Sequence, residues 1–413
     1  HANSSDATFD MSKTTKLTIT GGTIIFHKQN ATSFNDIDIL NGSSKSITGG
    51  TFQMGSGSTP SGTTFKIYSE IPLFNLTING FNTPSVQLTG DNLTKLANLT
   101  ITNQLTMNGG NIDGATNGKK VILTNPDINS ISRTSGFITG QMQRAIGNLG
   151  GTAYLFPVGN GPNYTPLILN FTGANNGGNI TVSSNAGDHA SLGTSLLNSS
   201  KSVNNYWTIE NNGVTFSGMG GDFTFPSGIA EAGTYKVGIY DGSTWTYPTV
   251  TTATATSVGF SGVSSLGGTA SFALAECIPP TITLGANPIV CQGITSTTLA
   301  YTATTNPPTE YRIDYDGAAE TAGFSDVSFT LLPSSQITLA LPATLVPGTY
   351  NATLYVRNAS DCESSAVEFT ITVNPSTGAT SFTAGATTVC QDAVDETYTA
   401  TAANSTSIAY SVS

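Results

Sequence analysis

Side chains that could perform acid–base or nucleophilic chemistry are few and far apart in this sequence. The three histidines, His1, His27 and His189, show no HExxH-like spacing and have no cysteine partner in a recognisable pattern. Asp188-His189 could belong to a catalytic triad, but no G-x-S-x-G nucleophile motif accompanies it. We therefore predict that Asp188 and His189 lie in a loop, and that the chain is not an enzyme.

Acidic side chains in the segment 1–135 are the other candidates for catalysis. Enzymes that cleave polysaccharides need two carboxyl groups flanking the scissile bond. Here the carboxylates are scattered, and two adjacent lysines form the one basic cluster. A solvated surface is therefore favoured for these side chains: Asp36, Asp38, Asp91, Asp113, Asp127, Lys119 and Lys120.

Asp314 and Asp316 are candidate metal ligands. They occupy alternate positions of a predicted strand, and Glu320 and Asp326 follow closely. Oxygen ligands of this kind suit Ca²⁺. The competing interpretation is a polar outer strand face opposite buried aromatic residues, and it is the favoured one. Ca²⁺ remains the one candidate ion, and no other metal or cofactor is predicted.

Four aromatic side chains, Trp207, Tyr240, Trp245 and Tyr247, could form a platform on which sugar rings stack. The alternative places Trp207 in a sandwich core and Trp245 across a hairpin from Tyr240. The core interpretation is favoured for Trp207. Trp245 and Tyr247 remain the candidate glycan-stacking residues.

The four cysteines predict a disulfide, because none of them has the two-residue spacing of a zinc site. The preferred pair is Cys291 with Cys362, since Cys291 has a repeat equivalent in Cys390. The rival pair is Cys277 with Cys362. Immunoglobulin topology favours the rival, because it puts the turn before the second strand and the final hairpin turn at opposite ends of the domain.

The elements that must position these residues are all predicted to be β-strands. In residues 1–135, short runs such as Leu17-Thr18-Ile19-Thr20 and Ser46-Ile47-Thr48 end at Gly-Gly pairs. Alternation with a period of two, ended by glycine, indicates half-buried strands joined by tight turns. The turns recur at roughly 20 to 30 residues, which predicts a β-solenoid (β-helix-like); an ordinary β-sandwich is the alternative.

Residues 136–276 are richer in aromatic residues and turn signals, which predicts a β-sandwich that caps the solenoid. Short helices are predicted only near residues 141–149 and 191–201. Residues 277–375 show the clearest alternation and predict an immunoglobulin-like sandwich with a hairpin around residues 358–364.

Residues 376–413 begin a second copy of this sandwich. Val290-Cys291-Gln292 returns about 98 residues later as Val389-Cys390-Gln391, and Tyr301-Thr302-Ala303-Thr304 returns as Tyr398-Thr399-Ala400-Thr401. The copy is incomplete, so we expect the sequence to be a fragment of a longer repeat protein.

Composition excludes several classes of partner. Only 9% of the residues are charged, and the net charge is −11. This composition provides no basic stripe for nucleic acid and disfavours anionic membrane surfaces. No apolar run approaches the roughly 18 residues of a membrane helix. Abundant Thr, Ser, Asn and Gly are typical of extracellular repeat proteins.

One resemblance to known proteins is carried by residues 136–413. Tyr154-Leu155-Phe156-Pro157-Val158-Gly159-Asn160-Gly161 and Asn205-Tyr206-Trp207-Thr208-Ile209 resemble a module of large surface proteins of the Bacteroidota. Asp314-Tyr315-Asp316-Gly317 and Gly348-Thr349-Tyr350-Asn351-Ala352-Thr353 resemble repeats of their giant gliding-motility adhesins. The resemblance implies export by the type IX secretion system, contact with outer-membrane secretion and anchoring machinery, and display on the cell surface.

These observations together predict a non-catalytic segment of a cell-surface adhesin that serves attachment and gliding motility. Its expected partners are surface glycans or a substratum and further repeats of the same chain. The alternatives are a secreted polysaccharide-active β-helix enzyme and a structural surface-filament subunit.

Overall fold

The protein is almost entirely β-structure, as the sequence predicts. The chain divides into two compact units, residues 1–277 and 278–413, and each is described by itself. The finer division of the sequence at residues 135 and 375 stays a prediction. A computed structural model describes residues 8–11, 16–30, 35–91, 95–147, 153–173, 177–231, 233–384 and 397–409.

The first part of unit 1 is a β-solenoid with parallel stacked coils, which confirms the predicted fold. Ile112 of one coil pairs in parallel with Ile138 of the next, and Ile138 pairs in the same way with Val158. Its strands are β1 Phe9–Asp10, β2 Leu17–Phe26, β3 Ile37–Ile39, β4 Lys45–Met54, β5 Thr64–Ser69, β6 Leu73–Ile78, β7 Ser85–Leu88, β8 Gly90–Asp91, β9 Lys95–Leu96, β10 Leu99–Met107, β11 Ile112–Asp113, β12 Lys120–Leu123, β13 Ile131–Arg133, β14 Ile138–Thr139 and β15 Gln141–Ile146.

Two parallel sheets form the sides of the solenoid. One has the order β1-β3-β5-β7-β11-β14, and the other has the order β2-β4-β6-β10-β12-β15. In β10 the pairing register with β6 shifts between Ile101 and Gln104. The first half of β10 then pairs with β12 and its second half with β13. This shift makes a corner in the coil.

Inward-facing side chains stack from coil to coil. Phe65 pairs in register with Val86, Val86 with Ile112, and Ile112 with Ile138, and all four are fully buried. Burying one such side chain contributes about 1.5–3 kcal/mol. The alternation of apolar and polar residues in the sequence therefore becomes a continuous apolar column with Thr and Asn outside.

Glycine pairs turn the chain at equivalent corners of the first two coils. Gly22 and Gly50 have φ of 82° and 84°, in the left-handed region that favours glycine. A Cβ on Gly49 would lie 2.2 Å from the carbonyl oxygen of Thr20 in the adjacent coil, whereas a Cβ on Gly21 would have no atom within 4 Å. Coil stacking therefore requires glycine at position 49 but not at position 21.

The second part of unit 1 is a β-sandwich, as predicted for the cap. Two strands of this part, β17 Val158–Asn160 and β18 Asn163–Tyr164, continue the first solenoid sheet after β14. The strands of the sandwich are β16 Ala153–Phe156, β19 Leu167–Thr172, β20 Gly178–Ala186, β21 Leu197–Asn212, β22 Gly218–Thr224, β23 Tyr235–Tyr240, β24 Trp245–Thr246, β25 Thr249–Ala253, β26 Ser257–Val263 and β27 Thr269–Cys277. Short 3₁₀ helices in unit 1 are Ala115–Asn117, Ile128–Ser130, Leu192–Thr194 and Ser227–Ile229.

The solenoid and the sandwich share one sheet. The last coil strand, β15, pairs antiparallel with β20, and the sheet continues in the order β20-β21-β27-β23-β24. The facing sheet has the order β16-β19-β22-β26-β25. Fully buried Trp207 lies between the sheets with its ring centroid 4.6 Å from that of Phe223. Hydrogen bonding, as well as packing, therefore closes this end of the solenoid.

The helix prediction for residues 141–149 is wrong over its described part, residues 148–149 lie outside the described residues, and the prediction for 191–201 is met only by one short 3₁₀ helix. Gln141–Ile146 is strand β15, since it alternates exposed and buried positions and pairs with a strand on each side. The other segment contains only the 3₁₀ turn Leu192–Thr194 before β21 begins. At residues 141–146, strand pairing overrides local helix propensity.

Unit 2 contains the predicted immunoglobulin-like sandwich. A sheet of order β28-β30-β33 faces a sheet of order β29-β35-β34-β31-β32, and the hairpin of β34 and β35 confirms the predicted one. The elements are β28 Thr281–Leu284, β29 Ile289–Cys291, β30 Ser296–Thr305, β31 Pro308–Tyr315, α1 Gly317–Thr321, β32 Val327–Leu331, β33 Gln336–Ala340, β34 Gly348–Asn358, β35 Val367–Asn374, β36 Ser381–Ala384 and β37 Thr399–Thr401.

The beginning of the second copy repeats the pairing of the first. Strands β36 and β37 pair antiparallel, as β28 and β30 do. Val389-Cys390-Gln391 lies outside the described residues. In the described part of the chain, no helix is long and apolar enough to span a membrane.

The preferred disulfide, Cys291 with Cys362, is wrong. Cys291 is a free, exposed thiol, whereas the two cysteines of the rival pair, Cys277 and Cys362, are disulfide-bonded. Cys291 pairs in register with Asn374, beside the start of β34, and Cys362 follows the end of β34. The ten residue steps of β34 span about 33 Å, far beyond the roughly 7 Å between Cα atoms that a disulfide allows.

Candidate ligand-binding site

A cluster of aromatic side chains lies on the outer face of the sandwich sheet in unit 1. Residues of β21 alternate, so that Trp207 faces the core and Tyr206 faces outward. Beside Tyr206 the floor is shallow because β27 contributes Ala273 and Ala275 there. On β23, Gly238 lets Leu197 and Trp245 pack directly on the backbone, because a Cβ there would lie 2.9 Å from carbon atoms of both side chains.

His189 lies at the centre of this cluster. Its ring centroid is 5.1 Å from Tyr206, 5.1 Å from Tyr240 and 5.7 Å from Trp245. Tyr240 and Trp245 pair across the β23–β24 hairpin, as one of the two interpretations predicts, with centroids 5.1 Å apart. All four side chains are partly buried, so each leaves some ring surface to solvent.

Electrostatics favour the neutral form of His189. The backbone N–H of Ser191 donates to Nδ1 of His189 at 3.2 Å, which places the ring proton on Nε2. Burial lowers the pKa of His189 because the surrounding rings desolvate the charged form. Among the described residues, Nε2 has no hydrogen-bond partner. It can therefore donate a hydrogen bond to a ligand.

Both predicted stacking residues are attached to the loop that crosses this face. Nε1 of Trp245 donates to the carbonyl oxygen of Ser191 at 3.2 Å and to Oγ1 of Thr194 at 3.3 Å. The hydroxyl of Tyr247 accepts from the N–H of Leu196 at 2.7 Å, and burial raises the pKa of Tyr247. The loop thus fixes Trp245 and Tyr247 in place, and the pair stays a prediction for glycan stacking.

The sequence analysis weighed Trp207 as a platform residue but favoured the core for it, treated His189 only as a catalytic candidate, and missed Tyr206 and Gly238. Trp207 lies in the core, where its Nε1 donates to the carbonyl oxygen of Thr165 at 2.8 Å. Asp188 and His189 lie in a loop, where Asp188 accepts from the hydroxyl of Ser202. A signal for Tyr206 is present in the sequence, because it alternates with Trp207 and must face the other way.

The calcium candidates Asp314 and Asp316 have separate structural environments. Asp314 projects outward from β31, 3.9 Å from Arg312. Asp316 follows the end of β31 and caps α1: its Oδ1 accepts from the N–H of Ala319 and its Oδ2 from Nδ2 of Asn351, both at 2.8 Å. No group of three or more potential metal-ligating side chains occurs in the part of the chain that the structure describes.

The solvated surface predicted for the charged residues of the solenoid is wrong for Asp36 and Lys119, which are buried. Asp36 is buried and accepts from the N–H groups of Asn30 and Lys66, and Asp113 accepts from the hydroxyls of Thr116 and Thr139. Lys119 is buried, and Lys120 lies 3.3 Å from Glu210. Of the other acidic residues considered for catalysis, Asp38 follows Ile37 in β3, Asp91 ends β8 and Asp127 caps a 3₁₀ turn. Of the other two histidines, His27 contacts Ser56, and His1 lies outside the described residues.

Comparisons with known proteins assign no family. No family model matches the chain, and no curated protein matches it. Three solved structures show weak similarity. Fibronectin(III)-like modules of Clostridium thermocellum CbhA match at 12% identity and a TM-score of 0.19, over 38% of this chain and 86% of that one. Chicken CNTN1 FN1-FN3 domains match at 10% identity and a TM-score of 0.17, over 41% of this chain and 75% of that one. The structure of Dpr11 IG1 bound to DIP-gamma IG+IG2 matches at 16% identity and a TM-score of 0.16, over 38% of this chain and 90% of that one.

Proposed function

We propose that this chain is a non-catalytic segment of a large secreted cell-surface adhesin that attaches cells to glycan-bearing surfaces. The observation that carries the proposal is the partly exposed aromatic cluster around His189 on the outer face of the unit 1 sandwich. Sheet structure holds this cluster from below and a hydrogen-bonded loop holds it from the side. Rigid aromatic side chains bind with little loss of conformational entropy.

The chemistry of the cluster suits a sugar ring. Sugars present C–H groups that pack on aromatic faces, and Tyr240 and Trp245 provide two neighbouring rings inclined at 38°. Sugars also present hydroxyls, which accept from donors such as Nε2 of His189. Glycans on a surface are therefore the proposed ligand, with Trp245 as the principal stacking residue.

Export and location follow from the same proposal. The resemblance of Tyr154–Gly161 and Gly348–Thr353 to surface proteins of the Bacteroidota supports type IX secretion, outer-membrane anchoring and a role in gliding motility. The start of a second immunoglobulin-like copy supports an array in which such modules act as spacers. We place the protein outside the cell, on the outer surface.

Binding is preferred to hydrolysis because the solenoid carboxylates have structural partners. Asp36 accepts two backbone N–H groups, and Asp127 caps a 3₁₀ turn. A glycosidase instead uses a carboxyl pair on opposite sides of one bond. The filament alternative has no specific observation in its favour.

A glycan array probed with the 413-residue protein tests the proposal. We expect binding to a subset of glycans without release of reducing ends, and about a 10-fold loss of affinity in Trp245→Ala, which equals about 1.4 kcal/mol, because the variant removes the apolar ring surface on which the sugar packs. Phe81→Ala is the matched control, because Phe81 is 63% exposed in the same unit but lies outside the cluster. Equal binding by wild type and Trp245→Ala, or product release, would refute the proposal.

A further inference from the structure

A second recess in unit 1 lies at the corner of the solenoid coils and is lined entirely by polar residues. It is an open cleft of about 210 Å³. The corner arises from the register shift in β10, which carries the chain past Asn103 and Gln104. The six lining residues are Asn103, Gln104, Asn125, Asp127, Asn129 and Ser130.

A ladder of side-chain amides fixes one wall of this cleft. Nδ2 of Asn75 donates to Oγ1 of Thr51 at 3.3 Å, and Nδ2 of Asn103 donates to Oδ1 of Asn75 at 2.7 Å. Nδ2 of Asn125 then donates to the carbonyl oxygen of Asn103 at 3.0 Å. Each coil thus holds the amide of the next, and the wall is preformed before any ligand arrives.

A buried arginine supports the floor. Ser130 is 3% exposed, and its Oγ accepts from Nη2 of Arg144 at 3.1 Å. Arg144 is fully buried and also donates to the carbonyl oxygens of Asp127 at 3.0 Å and Leu155 at 2.9 Å. Burial lowers the pKa of Arg144 to about 10, so the side chain is still charged at neutral pH. This cation lies behind Ser130 and does not line the cleft.

The rim provides polar groups that the protein itself does not use. Oδ1 of Asp127 accepts from the N–H of Asn129 at 2.8 Å, which leaves Oδ2 open. Within the described residues, the side-chain amides of Gln104 and Asn129 make no hydrogen bond, and both residues are exposed. Two amides and a carboxylate oxygen offer donors and acceptors side by side, which is the pattern that adjacent hydroxyl groups satisfy.

We propose that this cleft binds a neutral sugar unit of a polysaccharide chain through its vicinal hydroxyls. A neutral unit fits better than a uronate, because the one charged group on the rim is the Asp127 carboxylate, which would repel a second carboxylate. The cleft holds a single carboxylate where glycosidases use two, so its geometry supports binding rather than cleavage. This site is separate from the aromatic cluster and goes beyond the proposed function.

The test uses the 413-residue protein in a Trp245→Ala background, so that the aromatic cluster does not contribute to the signal. Calorimetric titration with dextran and with mannan, two neutral polysaccharides, is compared with titration with alginate, a polymer of uronates. The test variant adds Gln104→Ala and Asn129→Ala, and the control adds Gln87→Ala, a glutamine on β7 outside the cleft. Urea unfolding verifies that all proteins are equally folded.

We expect a neutral polysaccharide to bind, and the Gln104→Ala, Asn129→Ala variant to bind it at least about 10-fold more weakly while Gln87→Ala leaves affinity unchanged. Three results would overturn the inference: equal binding by the double variant and the control, stronger binding of alginate than of either neutral polymer, or no binding of dextran or mannan. The glycan array measures the effect of Trp245→Ala on the aromatic cluster in a separate experiment. Either the aromatic cluster or the polar cleft can therefore be refuted as a binding site without the other.

Discussion

Replacing Gly49 by alanine should destabilise unit 1, whereas the same change at Gly21 should not. Both glycines occupy the same place in a Thr-Gly-Gly-Thr corner, in consecutive coils. The difference between them is the neighbouring backbone: a Cβ at position 49 meets Thr20, and a Cβ at position 21 meets no atom within 4 Å. The pair therefore separates the effect of coil stacking from the general effect of glycine in a strand.

The magnitude follows from the contact distance. The added Cβ would lie 2.2 Å from the carbonyl oxygen and 2.6 Å from the carbonyl carbon of Thr20. A comfortable carbon–oxygen contact is about 3.3 Å, so the coils must separate by about 1 Å at this point. Overpacking of this kind costs about 1–3 kcal/mol. We expect the upper end, about 3 kcal/mol, because backbone atoms cannot rotate away as a side chain can.

Urea unfolding followed by tryptophan fluorescence is the primary assay. The chain has two tryptophans, Trp207 and Trp245, and both lie in unit 1. With a slope of about 3 kcal/mol per molar urea, a loss of about 3 kcal/mol moves the midpoint down by about 1 M. Gly21→Ala should leave the midpoint unchanged or raise it slightly, since it removes backbone entropy from the unfolded chain.

Limited proteolysis of the first coils complements the fluorescence, because both tryptophans belong to the sandwich. Gly49→Ala should expose sites near the first coils that Gly21→Ala keeps protected. If the two variants unfold at the same urea concentration and are cut at the same rate, the inference that coil contact dictates glycine at position 49 is wrong.

Three further predictions concern single side chains. Alkylation of the denatured, unreduced protein should modify Cys291 but neither Cys277 nor Cys362; modification of Cys362 would contradict the disulfide assignment. Asp316→Ala should lower the melting temperature of the unit 2 sandwich, because the variant removes the side chain that caps α1. Millimolar Ca²⁺ should not raise the melting temperature of either protein; a Ca²⁺-dependent rise that the variant abolishes would restore the metal hypothesis. Burial lowers the pKa of His189 below its ordinary value of 6.5, so the contribution of His189 to stability is complete above pH 6.5 and declines as the pH falls below that value. In melting curves between pH 7.5 and 5, the His189→Gln variant should therefore lose less stability on acidification than the wild-type protein. Equal losses in the two proteins would contradict the lowered pKa.

The fold was predictable where alternation alone determines which side chains are buried. In the solenoid, Ile19 and Ile47 alternate with Thr and Ser, and parallel pairing places them in register. The β34–β35 hairpin was predictable for the same reason. Segment 141–146 was misassigned because its alternation is short and its inward residues include Arg144, which no pattern of apolar residues would identify.

The sites were less predictable because they depend on contacts between distant segments. Trp245 was recognised as a candidate from its type alone, but its neighbour His189 belongs to a loop that precedes β21, far from Trp245 in the sequence. The cysteine prediction failed for a related reason. A repeat equivalent for Cys291 shows that the position recurs, but the pairing depends on which end of β34 each cysteine reaches.

The shared sheet of unit 1 also determines how the protein would respond to mechanical tension. The chain leaves this unit at Cys277 through β27, which is an interior strand bonded to β21 on one side and to β23 on the other. A pull along β27 acts parallel to the strand, so both rows of hydrogen bonds are sheared together instead of being peeled one at a time. A strand at the sheet edge would yield more easily. Force entering at Cys277 is thus shared with the strands on either side and passes through β21, β20 and β15 into the stacked coils.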